Sequence, residues 1–103
     1  MVRITRERLR ATCWYDGRTI VTTAGARVAL ATRTLARYVV ITAESDNTGV
    51  IVVGGATVVA TLATRQGIPL NAGESIGLPV ADLADVYLDS TVSGDGVTYV
   101  YLT

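Results

Sequence analysis

The stretch GIPLNAGESIGLPVADLADVYLDSTVSGDGVTYVYL, residues 67–102, shows most clearly how this chain folds. Its short runs 75–78, 86–89 and 97–102 are rich in apolar, β-branched and aromatic residues, and Gly, Asn, Asp or Pro stands between them. Runs of this kind favour pleated strands, and the residues between them favour tight turns. The stretch therefore predicts three strands of a small β-domain, with one tight helical turn over residues 81–85.

The residues upstream continue the same pattern. RYVVITA at 37–43 and the run 50–53 predict a hairpin across the turn formers ESDNTG. Further strands are predicted over residues 18–23 and 26–31, and a short extended piece over 68–70. Residues 56–66 fit a strand, a loop or a poor helix. Short strands at regular spacing predict an all-β fold, a compact antiparallel β-sandwich of jelly-roll-like type.

The chain length fits one domain of this kind preceded by an arm. It has 103 residues, half of them apolar, which is enough for a single modest core. Residues 1–16, MVRITRERLRATCWYD, show no clear period. They fit a terminus with solvated charges, or an extended N-terminal arm that lies on a neighbouring molecule. We therefore divide the chain into an arm over 1–16 and a β-sandwich domain over 17–103.

Charge is distributed unevenly along the chain, although the formal net charge is zero. Eight of the nine arginines lie within the first 37 residues beside two acidic residues, so that this part carries +6 and the remainder −6. The chain as a whole is not basic, which makes nucleic acid an unlikely partner. Arginine pairs well with carboxylates across protein interfaces, and Trp and Tyr often anchor them. The candidate partner-binding residues are therefore Arg3, Arg6, Arg8, Arg10, Trp14 and Tyr15.

Two predicted strands are apolar on both faces. In the last strand Tyr99 and Tyr101 share one face with Val97, while Val100 and Leu102 share the other. A sheet with one solvated face alternates apolar with polar residues, so both faces are expected to be covered. A subunit interface is the economical explanation, and burial of a central strand under loops is the alternative. Tyr99 and Tyr101 are the candidate self-association residues.

Residue types that carry common catalytic chemistry are missing. The chain has no His and no Lys, and Cys13 is its single cysteine, so no imidazole base, Schiff-base amine or clustered zinc ligands exist. The carboxylates in and beside the turns are expected to be solvated, with calcium near Asp95 as a weaker alternative. We expect no enzymatic activity, no catalytic, cofactor or metal site, and no cofactor.

No stretch of the sequence addresses the chain to a membrane. It lacks a charged-then-apolar signal peptide and any apolar run long enough to span a bilayer. We expect a protein made in the cytoplasm of its host, without a membrane partner.

Four motifs resemble the small structural proteins of tailed bacteriophages. They are Asn47-Thr48-Gly49 followed by a strand and Gly54, the turn IPLNAGES at 68–75, the strand LADVYLD at 83–89, and the closing GDGVTYVY at 94–101. That family shows an "NTG-strand-G" hairpin, an "IPL-x-x-GES" turn, an "L-x-x-[VI]-Y-[VL]-D" strand and a closing "GxGVxYxY" strand. The similarity covers roughly residues 37–102, and the residues before 18 take no part in it.

The resemblance implies a non-enzymatic β-sandwich protein of the virion. It favours a capsid decoration (cement) protein, a homotrimer whose arm clamps the major capsid protein at the outer capsid surface and stabilises the shell. A head–tail joining protein, or a tail or fibre component that binds a receptor, would carry the same motifs. Glycan binding through exposed Tyr or Trp would distinguish the receptor-binding alternative.

Overall fold

Eight strands and two single-turn 3-10 helices make up the computed structural model, which describes residues 13–103. The 3-10 helices are Leu62–Thr64 and Leu83–Asp85. The strands, in chain order, are β1 Trp14–Ile20, β2 Val28–Ala29, β3 Tyr38–Ala43, β4 Ile51–Gly54, β5 Ile68–Leu70, β6 Ser75–Pro79, β7 Tyr87–Ser90 and β8 Gly96–Leu102.

The strands form two antiparallel sheets of four. The first sheet has the order β1-β8-β3-β6 and the second β2-β7-β4-β5. Pairing is nested, because β1 pairs with β8, β2 with β7, β3 with β6 and β4 with β5. Eight strands wrapped in this way form a jelly roll, so the predicted all-β sandwich is confirmed.

The main core lies between the two sheets. In β3, Val39 and Ile41 are fully buried, whereas the alternating residues Tyr38 and Val40 are exposed. This alternation follows from the period of two in a strand, which sends every second side chain to the same face. Thirteen buried residues from both sheets and their loops fill the core: Val21, Leu30, Ala36, Val39, Ile41, Ala43, Ile51, Val53, Leu70, Leu83, Val86, Leu88 and Val97.

A second, smaller apolar cluster covers the outer face of the second sheet. The loop between β4 and β5 folds back over that face, so that its Val58 and Ala60 pack on Val52. The Asp89 carboxylate lies on the same face, opposite Val52, and is only 3% exposed. It accepts hydrogen bonds from the backbone N–H groups of Ala60, Gly25 and Ser90, at 2.9, 3.0 and 2.8 Å. One carboxylate thereby holds the β4–β5 loop and the turn after β1 against the sheet.

Another pair of side chains ties the β3–β4 loop to the start of β8. The Asn47 amide exchanges two hydrogen bonds with the backbone of Gly96, both 2.9 Å. In return, the Asp95 carboxylate accepts from the N–H groups of Thr48 and Gly49, at 3.2 and 2.8 Å. The sequence motifs NTG and GDG are therefore two halves of one hydrogen-bonded clasp.

The predicted hairpin of residues 37–43 and 50–53 is wrong: β3 and β4 lie in different sheets, because the loop between them crosses from one sheet to the other. Several boundaries also differ from those that the sequence predicts. Trp14–Asp16, assigned to the arm, are the first residues of β1, because their partners in β8 lie at the far end of the chain. Residues 1–12 of that arm lie outside the described residues. Residues 56–66 are a loop containing the first 3-10 helix and an isolated bridge between Val59 and Gln66. The predicted helical turn over 81–85 is confirmed as Leu83–Asp85, capped by Asp82.

We predict that Asp89→Ala lowers the free energy of unfolding by about 2–4 kcal/mol, because three N–H groups lose their acceptor, two of them in connecting segments. Asp89→Asn should fall between this variant and the unchanged protein, since its amide keeps one acceptor oxygen. Urea unfolding monitored by circular dichroism measures both. Asp85→Ala, at an exposed aspartate, is the matched control. Equal midpoints for the Asp89 and Asp85 variants would contradict the role given to Asp89.

Candidate interaction surface

The outer face of the first sheet is left uncovered by the described chain. Residues paired directly across neighbouring strands share a face, so the register divides this surface into three rows. The first row is Trp14, Leu102, Tyr38 and Pro79; the second is Asp16, Val100, Val40 and Gly77; the third is Arg18, Thr98, Thr42 and Ser75. We call these twelve residues the outer face.

The first two rows of the outer face are mainly apolar and exposed. Trp14 is 73% exposed, and Val40 and Val100 at the centre of the sheet are 40% and 38% exposed. A shallow groove of about 690 Å³ runs between Trp14 and these two valines. Central strands of a sheet are normally covered on both faces when both are apolar, and no described segment covers this one. The surface therefore has the character of a docking site.

The third row is polar and internally paired. The Arg18 guanidinium crosses β8 and donates to both carboxylate oxygens of Glu44, through Nε and, at 3.1 Å, through Nη2. The hydrogen bond from Arg18 and its positive charge hold the pKa of the Glu44 carboxyl below its ordinary value, against the opposing effect of burial. Thr42 and Ser75 share a hydrogen bond of 2.7 Å. Arg18, Thr42 and Ser75, at this end of the outer face, therefore already have hydrogen-bond partners within the chain.

Asp16 lies between the apolar and polar ends and differs from the other carboxylates near the sheet. Its side chain is exposed and has no hydrogen bond or ion pair within residues 13–103. A charge placed beside Trp14 and Val100 without a partner is available to a partner molecule. Asp16 is not among the site residues predicted from sequence, because residues 1–16 were assigned to an arm rather than to a strand.

The two aromatic residues proposed as an anchor from sequence lie on opposite faces of the first sheet. Trp14 lies on the outer face, while Tyr15 lies on the opposite face and stacks on Tyr101, with ring centroids 5.4 Å apart. The two side chains separate because successive residues of a strand point to opposite faces. The assignment of both residues to an arm did not predict this. Arg3, Arg6, Arg8 and Arg10 lie outside the described residues.

Tyr99 and Tyr101 lie on the inner face of the first sheet rather than on the outer face. Both are partly buried and pack against the main core. The Tyr99 ring covers Gly17, leaving no room there for a side chain. Burial raises the pKa of the Tyr99 hydroxyl, and the neighbouring Tyr101 adds to the shift. Their proposed part in self-association stays a prediction. Val40 of β3 and Val100 of β8, which were not among the site residues predicted from sequence, are exposed on the outer face instead.

Four acidic residues at the turns, Glu74, Asp82, Asp89 and Asp95, accept hydrogen bonds from the backbone. Asp89 and Asp95 are buried, contrary to the expectation of solvated turn acids. Asp82 accepts from the N–H groups of Ala84 and Thr34, and these two bonds hold the pKa of its carboxyl below the ordinary value. The Glu74 carboxylate accepts from Asn71 at 2.7 Å within the IPLNAGES turn. Each therefore has a role in holding a loop.

Residues 13–103 contain neither a metal-ligating cluster nor a membrane-spanning helix. No group of three or more Cys, Asp and Glu side chains there is arranged to hold a metal ion. Over the same residues, no helix has the length and apolar character needed to cross a bilayer.

Comparison with known proteins does not assign the chain to a family: no protein-family model matches it, and a search of curated proteins finds no significant match.

We predict that the Arg18–Glu44 pair makes stability depend on pH. Because the Glu44 pKa in the folded state lies below its ordinary value of 4.5, its contribution is present above that value and is lost as pH falls through the lowered pKa. The difference in unfolding free energy between the unchanged protein and Glu44→Gln should therefore be present at pH 7 and disappear as the pH falls through the lowered pKa of Glu44. Asp82 titrates in both proteins and cancels. A difference that persists at low pH would contradict this assignment.

Proposed function

We propose that this protein is a non-enzymatic structural component of a tailed-phage virion. In this proposal it is a decoration protein that binds the major capsid protein at the outer capsid surface and stabilises the shell. The observation that carries the proposal is the outer face, on which Trp14, Val40 and Val100 stay exposed at the end and centre of a four-stranded sheet.

An exposed apolar surface of this kind suits a protein partner. Desolvating Val40, Val100 and the groove beside them gives affinity in proportion to the apolar area buried, roughly 25 cal/mol per Å² before the costs of association. Trp14 stands at the edge of the groove, and tryptophan is among the residues that most often dominate interface energies. Asp16 adds a charge that fixes orientation more than it adds affinity.

The architecture supports a place in a virion by analogy. Jelly rolls occur in viral capsid proteins, as well as in lectins and cupins, so the fold alone does not decide among these roles. The resemblance of the NTG, IPLNAGES, LADVYLD and GDGVTYVY motifs to small phage structural proteins favours the virion. Those motifs form turns, strands and the clasp between NTG and GDG. They are therefore stronger support for a shared fold than for a particular position in the particle.

The arm remains part of the proposal. Arg3, Arg6, Arg8 and Arg10 lie within twelve residues before Trp14, so that an arm docked on acidic capsid surface would continue the contact made by the outer face. Self-association accompanies capsid binding in this proposal, and the phage resemblance puts the assembly at a trimer. A joining protein at the neck would use the same surfaces and differ in copy number.

A second candidate is a receptor-binding component at a tail or fibre. The groove places an exposed indole beside Asp16, Arg18 and the hydroxyls of Thr42 and Thr98. Sugars bind to such combinations, with a ring face on the aromatic side chain and hydroxyls on the polar groups. Only this candidate requires Trp14 to bind a glycan.

Copy number separates these positions in the virion. Quantitative mass spectrometry of purified particles would give the amount of this chain relative to the major capsid protein. A ratio near that of the shell subunits supports a decoration protein, and a handful of copies per particle supports the neck, tail or fibre. Absence from particles would overturn the whole proposal.

We predict that Trp14→Ser weakens binding to undecorated capsids at least tenfold, because a large exposed aromatic contact is lost. Leu62→Ser is the matched control, since Leu62 is 77% exposed on the loop that covers the second sheet. Both variants should unfold at nearly unchanged urea concentrations, as surface substitutions usually do. Equal capsid affinity for the two variants would rule out docking through the outer face.

We further predict that removing residues 1–12 leaves a folded domain with reduced capsid binding, because β1 and every described contact of the sandwich are retained. Co-sedimentation with capsids measures binding, and circular dichroism checks the fold. Undiminished binding would show that the arginines of the arm are not needed.

A further inference from the structure

The four sheet edges of the jelly roll differ in how well they are protected against pairing with another strand. In the second sheet, β2 has only two residues, and β5 has three with Pro69 in the middle. In the first sheet, β6 contains Gly77 and ends at Pro79. Short strands and prolines are the usual means of blocking an edge. The fourth edge, β1, has seven residues and no proline.

The free edge of β1 carries a row of unused backbone groups. The Cys13 C=O accepts from Thr103 and the Val21 N–H donates to Asp95, so the odd-numbered residues of β1 point their backbone groups at β8. Backbone groups of successive residues in a strand point in opposite directions. The N–H and C=O groups of Trp14, Asp16, Arg18 and Ile20 therefore point away from the sheet. Within residues 13–103 none of them has a hydrogen-bond partner.

We propose that the β1 edge binds the β1 edge of a second copy of this chain, antiparallel and with the two-fold axis at Gly17. The two first sheets then form one continuous eight-stranded sheet. This contact does not depend on capsid binding and can form between free copies, and it makes the free protein a dimer in place of the trimer that the phage resemblance implies.

The side chains of β1 select this register. With the axis at Gly17, Asp16 lies opposite the second copy's Arg18, and Trp14 lies opposite the second copy's Ile20. Asp16, which has no side-chain partner within the described chain, gains one in this way, and Arg18 still has N–H donors beyond the two that it gives to Glu44. Opposite charges facing each other across antiparallel strands are stabilising.

The neighbouring registers are disfavoured by charge. The edge-facing groups belong to even-numbered residues, so the next registers in either direction are shifted by two residues. One places Asp16 opposite Asp16 of the second copy, and the other places Arg18 opposite Arg18. Like charges directly opposite each other destabilise a strand pair. Of the three central registers, only the one at Gly17 pairs unlike charges.

Gly17 also suits the position on the axis. It belongs to the set whose backbone groups point at β8, so the two Gly17 residues face each other as a non-hydrogen-bonded pair, with Cα atoms about 4.5 Å apart. Side chains approach most closely at such pairs. Glycine has no side chain to obstruct the approach of the two strands. The position that a Cβ would take at Gly17, on the inner face, is already occupied by the Tyr99 ring.

Sedimentation equilibrium of the full chain tests the proposal. We expect a mass twice that of the 10.8 kDa chain at concentrations up to about 0.5 mM. Asp16→Pro removes an N–H that faces the free edge while the pairing with β8 stays intact, so this variant should be a folded monomer. Ser75→Pro makes the same change on the outward side of β6 and should remain a dimer. A monomeric or trimeric unchanged protein, or a dimeric Asp16→Pro variant, would overturn the proposal.

Charge exchange tests the register. Asp16→Arg gives two arginines on each edge, and Arg18→Asp gives two aspartates, so each variant alone should dimerise at least tenfold more weakly. Mixed in equal amounts they should form a heterodimer detectable by native mass spectrometry. Circular dichroism confirms that each is folded, since Arg18→Asp also breaks the pair with Glu44. Failure of the folded variants to form a heterodimer would overturn the Gly17 register.

Discussion

A buried carboxylate must have hydrogen-bond donors, and the way in which Asp89 meets that requirement decides which face of this sandwich is open. Asp89 lies on the outer face of the second sheet and takes its donors from Ala60, Gly25 and Ser90. Holding Ala60 brings the β4–β5 loop down on Val52, with Val58 beside it. The second sheet is thereby covered by its own chain. The first sheet has no equivalent loop among the described residues, and its outer face stays exposed.

The open outer face explains why two strands are apolar on both sides. β3 and β8 are the central strands of the first sheet, so their inner residues fill the core and their outer residues form the floor of the groove. Val40 and Val100 would ordinarily be replaced by polar residues on a solvated sheet. Their exposure is the feature on which the proposed contact with a capsid subunit rests.

Local patterns in the sequence predicted much of the architecture, and their failures have identifiable causes. The strands around Val39, Ile51 and Leu88, the turn capped by Asp82 and the sandwich itself were predicted, because alternation and turn chemistry act over a few residues. The start of β1 was missed, since its first residues mix charges with aromatics and show no clean period. The buried state of Asp89 and Asp95 was also missed, because their donors come from loops distant in sequence.

The sequence by itself determined that this chain makes short strands and tight turns around one β-core, and that conventional catalytic groups are lacking. The tertiary structure alone decided that NTG and GDG meet in one clasp, that Trp14 and Tyr15 point to opposite faces, and that the outer face brings Trp14, Val40 and Val100 together. The physical reason is that strand and turn preferences are local properties of neighbouring residues. Which strands become neighbours depends on nested pairing between the two ends of the chain, and no local pattern encodes that pairing.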